Sequence, residues 1–211
     1  MDIKDYQSGN FKQQFKYKSF IPTPINHEWV ISDSDLSLLL SQADMKLGAL
    51  NAFSQLVPDI DFFIMMHVSK EATSSSRIEG TQTNIEEALQ GVEYIDPEKR
   101  DDWEEVQNYI KAMNEAVASL VKLPLSNRLL AETHKILLQG VRGKHKQLGE
   151  FRRSQNWIGG ASLNDAAFIP PHHEDLPELL TDFEYFLNND TIPVPHLIKI
   201  AIAHYMMTPR I

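Results

Sequence analysis

The sequence predicts an all-α protein, a helical bundle interrupted by one small β-hairpin. Three observations carry that expectation. Apolar residues recur near the 3.6-residue period in segment after segment. Most of those segments open on Ser, Thr or Asp and close on Pro or Gly, the usual start and stop signals of helices. One stretch, 149–171, breaks the period with two short extended pieces around a Gly- and Asn-containing loop.

Composition sets the outer limits. The chain has 211 residues, 42% hydrophobic and 23% charged, enough for one substantial core with a smaller satellite. It has no cysteine, which excludes disulfides, thiolate catalysis and zinc–thiolate sites. A formal charge of −9 argues against a nucleic-acid-binding surface, which needs clustered Lys and Arg. No apolar run is long enough to span a bilayer, and Met1-Asp2-Ile3-Lys4-Asp5-Tyr6 lacks the apolar core of a signal peptide. The expectation is a cytoplasmic protein.

Taken in order, residues 1–31 carry Phe11, Phe15, Tyr17 and Phe20 without a sustained period. Pro22 and Pro24 favour extended backbone before them. The segment reads as an arm laying aromatic side chains on a later surface, with a short strand near Trp29-Val30-Ile31. Ser32 with Asp35 opens a first helix, carrying Leu36, Leu39, Leu40, Ala43, Leu47 and Leu50, and Pro58 ends it. The apolar run Phe62-Phe63-Ile64-Met65-Met66-His67-Val68 reads as a buried helix that runs on to Gly80. Thr83 with Glu86 forms a further capping-box pattern.

The clearest amphipathic helix follows Asp96-Pro97, with Val106, Tyr109, Ile110, Met113, Val117, Leu120 and Val121 on one face. Ser126 caps the next, whose apolar stripe includes Leu129, Leu130, Leu137, Leu138 and His134, read as a buried, hydrogen-bonded histidine. In the hairpin, Gln155 to Ile158 and Ala167 to Ile169 form the extended pieces. Such a hairpin offers an edge to which an extended peptide can add, or it merely covers the core. His172-His173-Glu174-Asp175 has metal-binding residue types, but adjacent residues cannot all face one ion, and the cluster stands where a helix cap belongs. The next helix carries Leu176, Leu179, Leu180, Phe183, Phe186 and Leu187, with Pro177 in its first turn. The last begins near Pro195 and is apolar nearly all round, as in the middle of a bundle.

The motif that stands out is Ser74-Ser75-Ser76-Arg77-Ile78-Glu79-Gly80. Ser75 and Glu79 are four apart and share a helix face. A carboxylate there can pair with an arginine that would otherwise hold a phosphate, or it is a solvated residue at a helix end.

Ser75, Glu79 and Gly80 resemble the inhibitory motif of the Fic (filamentation induced by cAMP) family: Ser or Thr, three residues, Glu, then Gly or Asn. Three further segments are similar to parts of that family's core. Leu137-Leu138-Gln139-Gly140-Val141-Arg142-Gly143 resembles the loop before its flap. Gly149-Glu150-Phe151-Arg152 through Gln155-Asn156-Trp157-Ile158-Gly159, with Phe168-Ile169-Pro170-Pro171, resembles the flap hairpin. Ile202-Ala203-His204-Tyr205 is similar to the helix leading into the catalytic loop.

The resemblance implies a Fic-like helical bundle. Residues 1–95 would form an N-terminal Fic-associated region with the inhibitory helix at about 59–80. Residues 96–211 would be a partial core with the flap at about 149–171. It implies AMP transfer from ATP, with Mg2+, to a Ser, Thr or Tyr hydroxyl of a target protein. It assigns Trp157, Ile158, Phe168, Ile169 and Pro170 to target docking.

The family's catalytic signature is His-Pro-Phe, two residues, Gly or Asp, Asn-Gly-Arg, two residues, Arg. This sequence contains neither His-Pro-Phe nor Asn-Gly-Arg. The expectation is therefore a chain truncated before the catalytic loop, with no catalytic residue or metal ligand of its own, doubtful in ATP binding and inactive by itself. The alternative is a regulatory or protein-interaction fragment, self-associating through its uncovered apolar face. No nucleic-acid or membrane partner is expected.

Overall fold

The computed structural model describes residues 1–78, 80–140 and 147–207. These form seven α-helices and one two-stranded sheet, the mainly helical fold that periodicity predicts, but the sheet lies at residues 9–22, and the hairpin expected at 149–171 is a single bridge between Ile158 and Phe168. None of the described helices is long and apolar enough to cross a membrane. The chain divides into two compact units, Met1–Lys46 with Arg152–Ile211, and Leu47–Phe151. The boundary falls inside helix α1 (Ser34–Ser54).

In the first unit the sheet is made by the N-terminal arm. Strands β1 (Gly9–Gln13) and β2 (Lys18–Pro22) pair antiparallel, with Phe11 opposite Phe20. The rings of that pair meet edge-on at 5.6 Å, the cross-strand aromatic contact that stabilises a short ladder. The arm therefore has more structure than its irregular sequence suggests. Conversely, Val30 makes only a single parallel bridge with Asp2, not a strand.

Ile25 and Trp29 are buried, and the Trp29 indole N–H donates to the Ile25 carbonyl at 3.0 Å. The backbone N–H groups of Ile25 and Asn26 donate to the carboxylate of Asp182 at 2.7 and 3.3 Å. Asp182 belongs to α6 (Leu176–Asn188), which buries Leu176, Leu179, Leu180, Phe183 and Phe186 as its period predicts.

Pro177 stands in the first turn of α6 as expected, but Asp175 does not cap it. The backbone at Asp175 is already helical, and its carboxylate reaches Lys12 Nζ at 2.8 Å instead. Helix α7 (His196–Met207) departs from the sequence reading. It buries a single stripe, Ile198, Ile202 and Met206, while Ile200 on the opposite face is exposed.

The second unit contains α2 (Ile60–Ile78), α3 (Ile85–Ala88), α4 (Arg100–Ser119) and α5 (Asn127–Leu137). Ala72, Ala88 and Val106 form its core cluster, with Tyr109 and Ile110 packed against it. Asn108 donates from Nδ2 to the Gln139 carbonyl at 2.8 Å, tying α4 to the end of α5. Ser126 caps α5 as expected, its hydroxyl accepting the Leu129 N–H.

Several expectations of burial fail here. The run Phe62 to Val68 is not a buried segment: Phe62, Ile64 and Met65 are exposed. The apolar stripe of α4 is buried at Val106 but exposed at Met113, Val117, Leu120 and Val121. His134 is exposed, though hydrogen-bonded: its Nδ1 accepts the Gly149 N–H at 3.2 Å. Two helix starts lie one residue later than the capping patterns suggest. Asp33, not Ser32, accepts the N–H groups of Asp35 and Leu36. Asn84, not Thr83, forms the capping box, with Glu87.

Candidate functional site

The motif-bearing end of α2 is shaped by small residues. Ser69, Ala72, Thr73 and Ser76 are its buried positions. Their spacing places them on one helix face, and short side chains let that face pack closely. The Thr73 hydroxyl donates back to the Ser69 and Lys70 carbonyls, each at 3.0 Å, so its polarity is satisfied inside the helix.

Gly80 stops the helix. Its φ is +102°, a left-handed conformation that costs a Cβ-bearing residue energy. The Gly80 N–H donates to the Arg77 carbonyl and the Thr81 N–H to the Ser76 carbonyl, both at 3.1 Å. Those two bonds are the Schellman pattern that satisfies the last carbonyls of a helix.

The exit is then held by neighbours. The Gln82 N–H donates to Asp102 at 2.8 Å. Asn84 and Glu87 cap α3 reciprocally. Lys99 Nζ lies 2.8 Å from Glu87, and its hydrogen bond, followed by that of the Asn84 N–H, holds the Glu87 carboxyl below the usual range. Trp103 and Gln107 of α4 donate to the carbonyls of Glu87 and Ala88. Thr81 and Thr83 are buried, with hydroxyls that meet no partner among the described residues. The sequence reading missed their burial, and only their position between two fixed helix ends signals it.

Of the three motif residues, Ser75 lies in α2, Gly80 donates one of the two bonds that close it, and Glu79 lies outside the described residues. The Ser75 hydroxyl is engaged one turn earlier, donating to Glu71 at 2.8 Å. The segment Val141-Arg142-Gly143 also lies outside the described residues.

The flap-like segment belongs to the first unit. Ile158 and Phe168 form one antiparallel bridge, closed by Ile158 N–H to Phe168 O at 2.8 Å and Phe168 N–H to Ile158 O at 3.1 Å. The loop between them turns on Gly160. A Cβ there would sit 2.2 Å from the Asp165 carbonyl oxygen, and φ is +74°.

The base of the loop is stapled by side chains. Arg152 donates to the Ser154 and Pro171 carbonyls, and Gln155 donates to the Pro170 carbonyl at 3.1 Å. Burial lowers the Arg152 pKa, the direction desolvation imposes on a cation.

The five docking candidates do not share one environment. Trp157 and Ile158 are exposed, Phe168 is half-buried, and Ile169 and Pro170 are buried. The reason lies in β2: the Phe20 N–H donates to the Ile169 carbonyl at 2.8 Å, and the Phe20 and Phe168 rings are 5.6 Å apart. The N-terminal hairpin thus covers the Phe168–Ile169 side and leaves Trp157 and Ile158 at the outer side. Neither the pairing nor the partner strand was legible from the sequence around residue 20.

Among the described residues no three His, Asp or Glu side chains come together as a metal-ligand set. His172 and His173 stack at 4.1 Å, and Asp175 is held by Lys12.

Comparison with known proteins finds similarity to the family that the sequence resembles. A family model described as Fic/DOC family N-terminal matches residues 37–118, from the first turn of α1 to the end of α4. The chain is 32% identical over 115 residues to the protein adenylyltransferase Fic of Drosophila erecta, covering 54% of this chain and 21% of that protein. The corresponding protein of Drosophila mojavensis is 33% identical over 54% of this chain and 21% of its own length. That of Drosophila melanogaster is 32% identical over 54% and 22%. The matched region spans about a fifth of the length of these relatives. Helix α2, its glycine stop and the capped α3 all fall inside the family match, and over this region the chain is similar to the N-terminal part of Fic/DOC family proteins.

Proposed function

We propose that this chain is the regulatory and target-presenting part of a protein-AMPylating system. In this reading the end of α2 is the restraining helix, and Glu79 is the carboxylate that would pair with a phosphate-binding arginine. Trp157 and Ile158 would meet a target segment at the flap's outer side. The observation that carries it is the pair of bonds closing α2, Gly80 N–H to Arg77 O and Thr81 N–H to Ser76 O, inside the segment matching the Fic N-terminal family. Such a turn fixes the direction in which the helix hands over to the residues after it.

By themselves the 211 residues transfer no AMP. The sequence lacks His-Pro-Phe and Asn-Gly-Arg, and with them the base for the target hydroxyl and the phosphate cradle on which such transfer rests. No step can be routed through ATP and magnesium on the residues described above. The purified chain, incubated with labelled ATP, magnesium and a cell extract, is expected to leave every protein at background. Label that depends on this chain overturns that part of the reading.

A second reading, an interaction fragment without nucleotide chemistry, is favoured by the exposed Phe62, Ile64, Met65, Val117 and Val121. Large apolar side chains left exposed promote association where they form a patch. Sedimentation separates the two readings: a clean monomer at high concentration counts against association through that surface. The substitution Glu79→Gly leaves an interaction fragment unchanged, and it relieves any restraint the chain exerts on an active Fic enzyme.

A further inference from the structure

The groove beside the end of α2 collects positive charge on an acidic chain. Lys70, Thr73, Ser74 and Arg77 form one wall, Asn84 and Ile85 the other, around a cavity of about 380 Å³. That volume falls within the range of small-ligand pockets, about 300–1,000 Å³. The four α2 residues stand at i, i+3, i+4 and i+7 and share a helix face. Lys70 and Arg77 are therefore about 10 Å apart along the axis, and a ligand with extended charge could engage both.

The Thr73 hydroxyl is used inside the helix, but the charged donors of the groove are uncommitted. Among the described residues neither Lys70 nor Arg77 has an ion pair. The Asn84 side-chain oxygen is used by the Glu87 N–H, which leaves its amide N–H groups available. The neighbouring acids are engaged elsewhere. Glu71 accepts from Ser75, Glu87 is held by Lys99 and the Asn84 N–H, and Asp102 accepts from Gln82. Glu86 does not line the cavity. Among the described residues, what remains to line this space is two cations, a serine and an asparagine amide, with Ile85 as an apolar wall.

We propose that this groove binds a phosphate-bearing ligand. Guanidinium and ammonium groups with neutral donors between them suit phosphate oxygens, and the apolar wall accommodates an organic remainder. The site is independent of the Fic reading, because it uses neither Glu79 nor any residue of the flap.

The test is a titration of the isotope-labelled full chain, followed by backbone amide resonances. Inorganic pyrophosphate is one arm and AMP without magnesium the other. Saturable shifts centred on Lys70, Ser74, Arg77 and Asn84 are expected. Lys70→Gln and Arg77→Gln should each weaken binding about tenfold, the order expected for one charge-assisted hydrogen bond. Lys111→Gln, on α4 and outside the groove, should leave it unchanged. Saturation by pyrophosphate alone assigns the site to an inorganic phosphoryl ligand, and saturation by AMP at least as tight assigns it to a nucleotide-like one. No saturable shift in either arm, or binding unaltered in both groove variants, overturns the proposal. Both substituted side chains are exposed, so the variants should fold, and thermal unfolding checks this.

Discussion

The two compact units bury different kinds of side chain. In the first, α6 turns Leu176, Leu179, Leu180, Phe183 and Phe186 inward, and Ile25, reached from far away in sequence, is fully buried. In the second, α2 turns Ser69, Ala72, Thr73 and Ser76 inward and leaves Phe62, Ile64 and Met65 outside. One unit is held by large apolar area. The other is held by close approach of helices and by hydrogen bonds at their ends. Large apolar side chains tolerate small shifts in the backbone less well than they resist unfolding, whereas a small-residue interface fixes distance.

Substitutions can break this comparison. The largest effect is expected at Phe186, which is 1% exposed. Phe186→Ala should cost about 3–5 kcal/mol through lost burial and a cavity, read by urea unfolding. Phe62→Ala, a change of the same size at a side chain 56% exposed, should stay within about 0.5 kcal/mol. Equal costs at the two positions would show that α2 buries its apolar run after all.

Asp182→Ala should come next, at about 1–3 kcal/mol, because it orphans the N–H groups of Ile25 and Asn26. Since no large apolar area is lost, a cost as large as that of Phe186→Ala would mean that the polar link, not the apolar core, dominates the first unit.

Ala72→Leu sharpens the account of the second unit. Ala72 is fully buried, and the added carbons should cost about 1–3 kcal/mol by overpacking. A neutral or stabilising result would mean that α2 can move away from its neighbours freely. At the helix ends, Asn84→Ala should cost about 1 kcal/mol by removing the α3 cap.

The smallest effect expected is a pH dependence at Glu87. Its carboxyl is held low, first by Lys99 and then by the Asn84 N–H. A depressed carboxylate binds its proton more weakly folded than unfolded, so its stabilisation is present at neutral pH. It is lost as pH falls through the depressed value. Lys99 is 43% exposed, so screening by solvent keeps the contribution small. Acid unfolding of Glu87→Gln should lack this component, and an unchanged acid limb would show that the pair contributes nothing.

The sequence by itself determined the helices, their starts to within a residue, and the flap-like turn. The signals are local: Ser126 caps α5 through its own third residue, Pro177 suits a first turn, and Gly80 takes a conformation other residues resist. It also displayed Ser75, Glu79 and Gly80 as a motif, because their spacing is a property of the chain alone.

What only the tertiary structure decided is which side of each element is covered. Periodicity marks an apolar face but not whether a partner reaches it, so the runs of α2, α4 and α7 read as buried where several of their large side chains are exposed. The N-terminal hairpin shows the same limit from the other side. Phe20 meets Phe168 and Ile169 across a separation in sequence that no local pattern encodes. That pairing decides which of the flap residues face solvent, because the strand bonded to Ile169 also lays the Phe20 ring against Phe168.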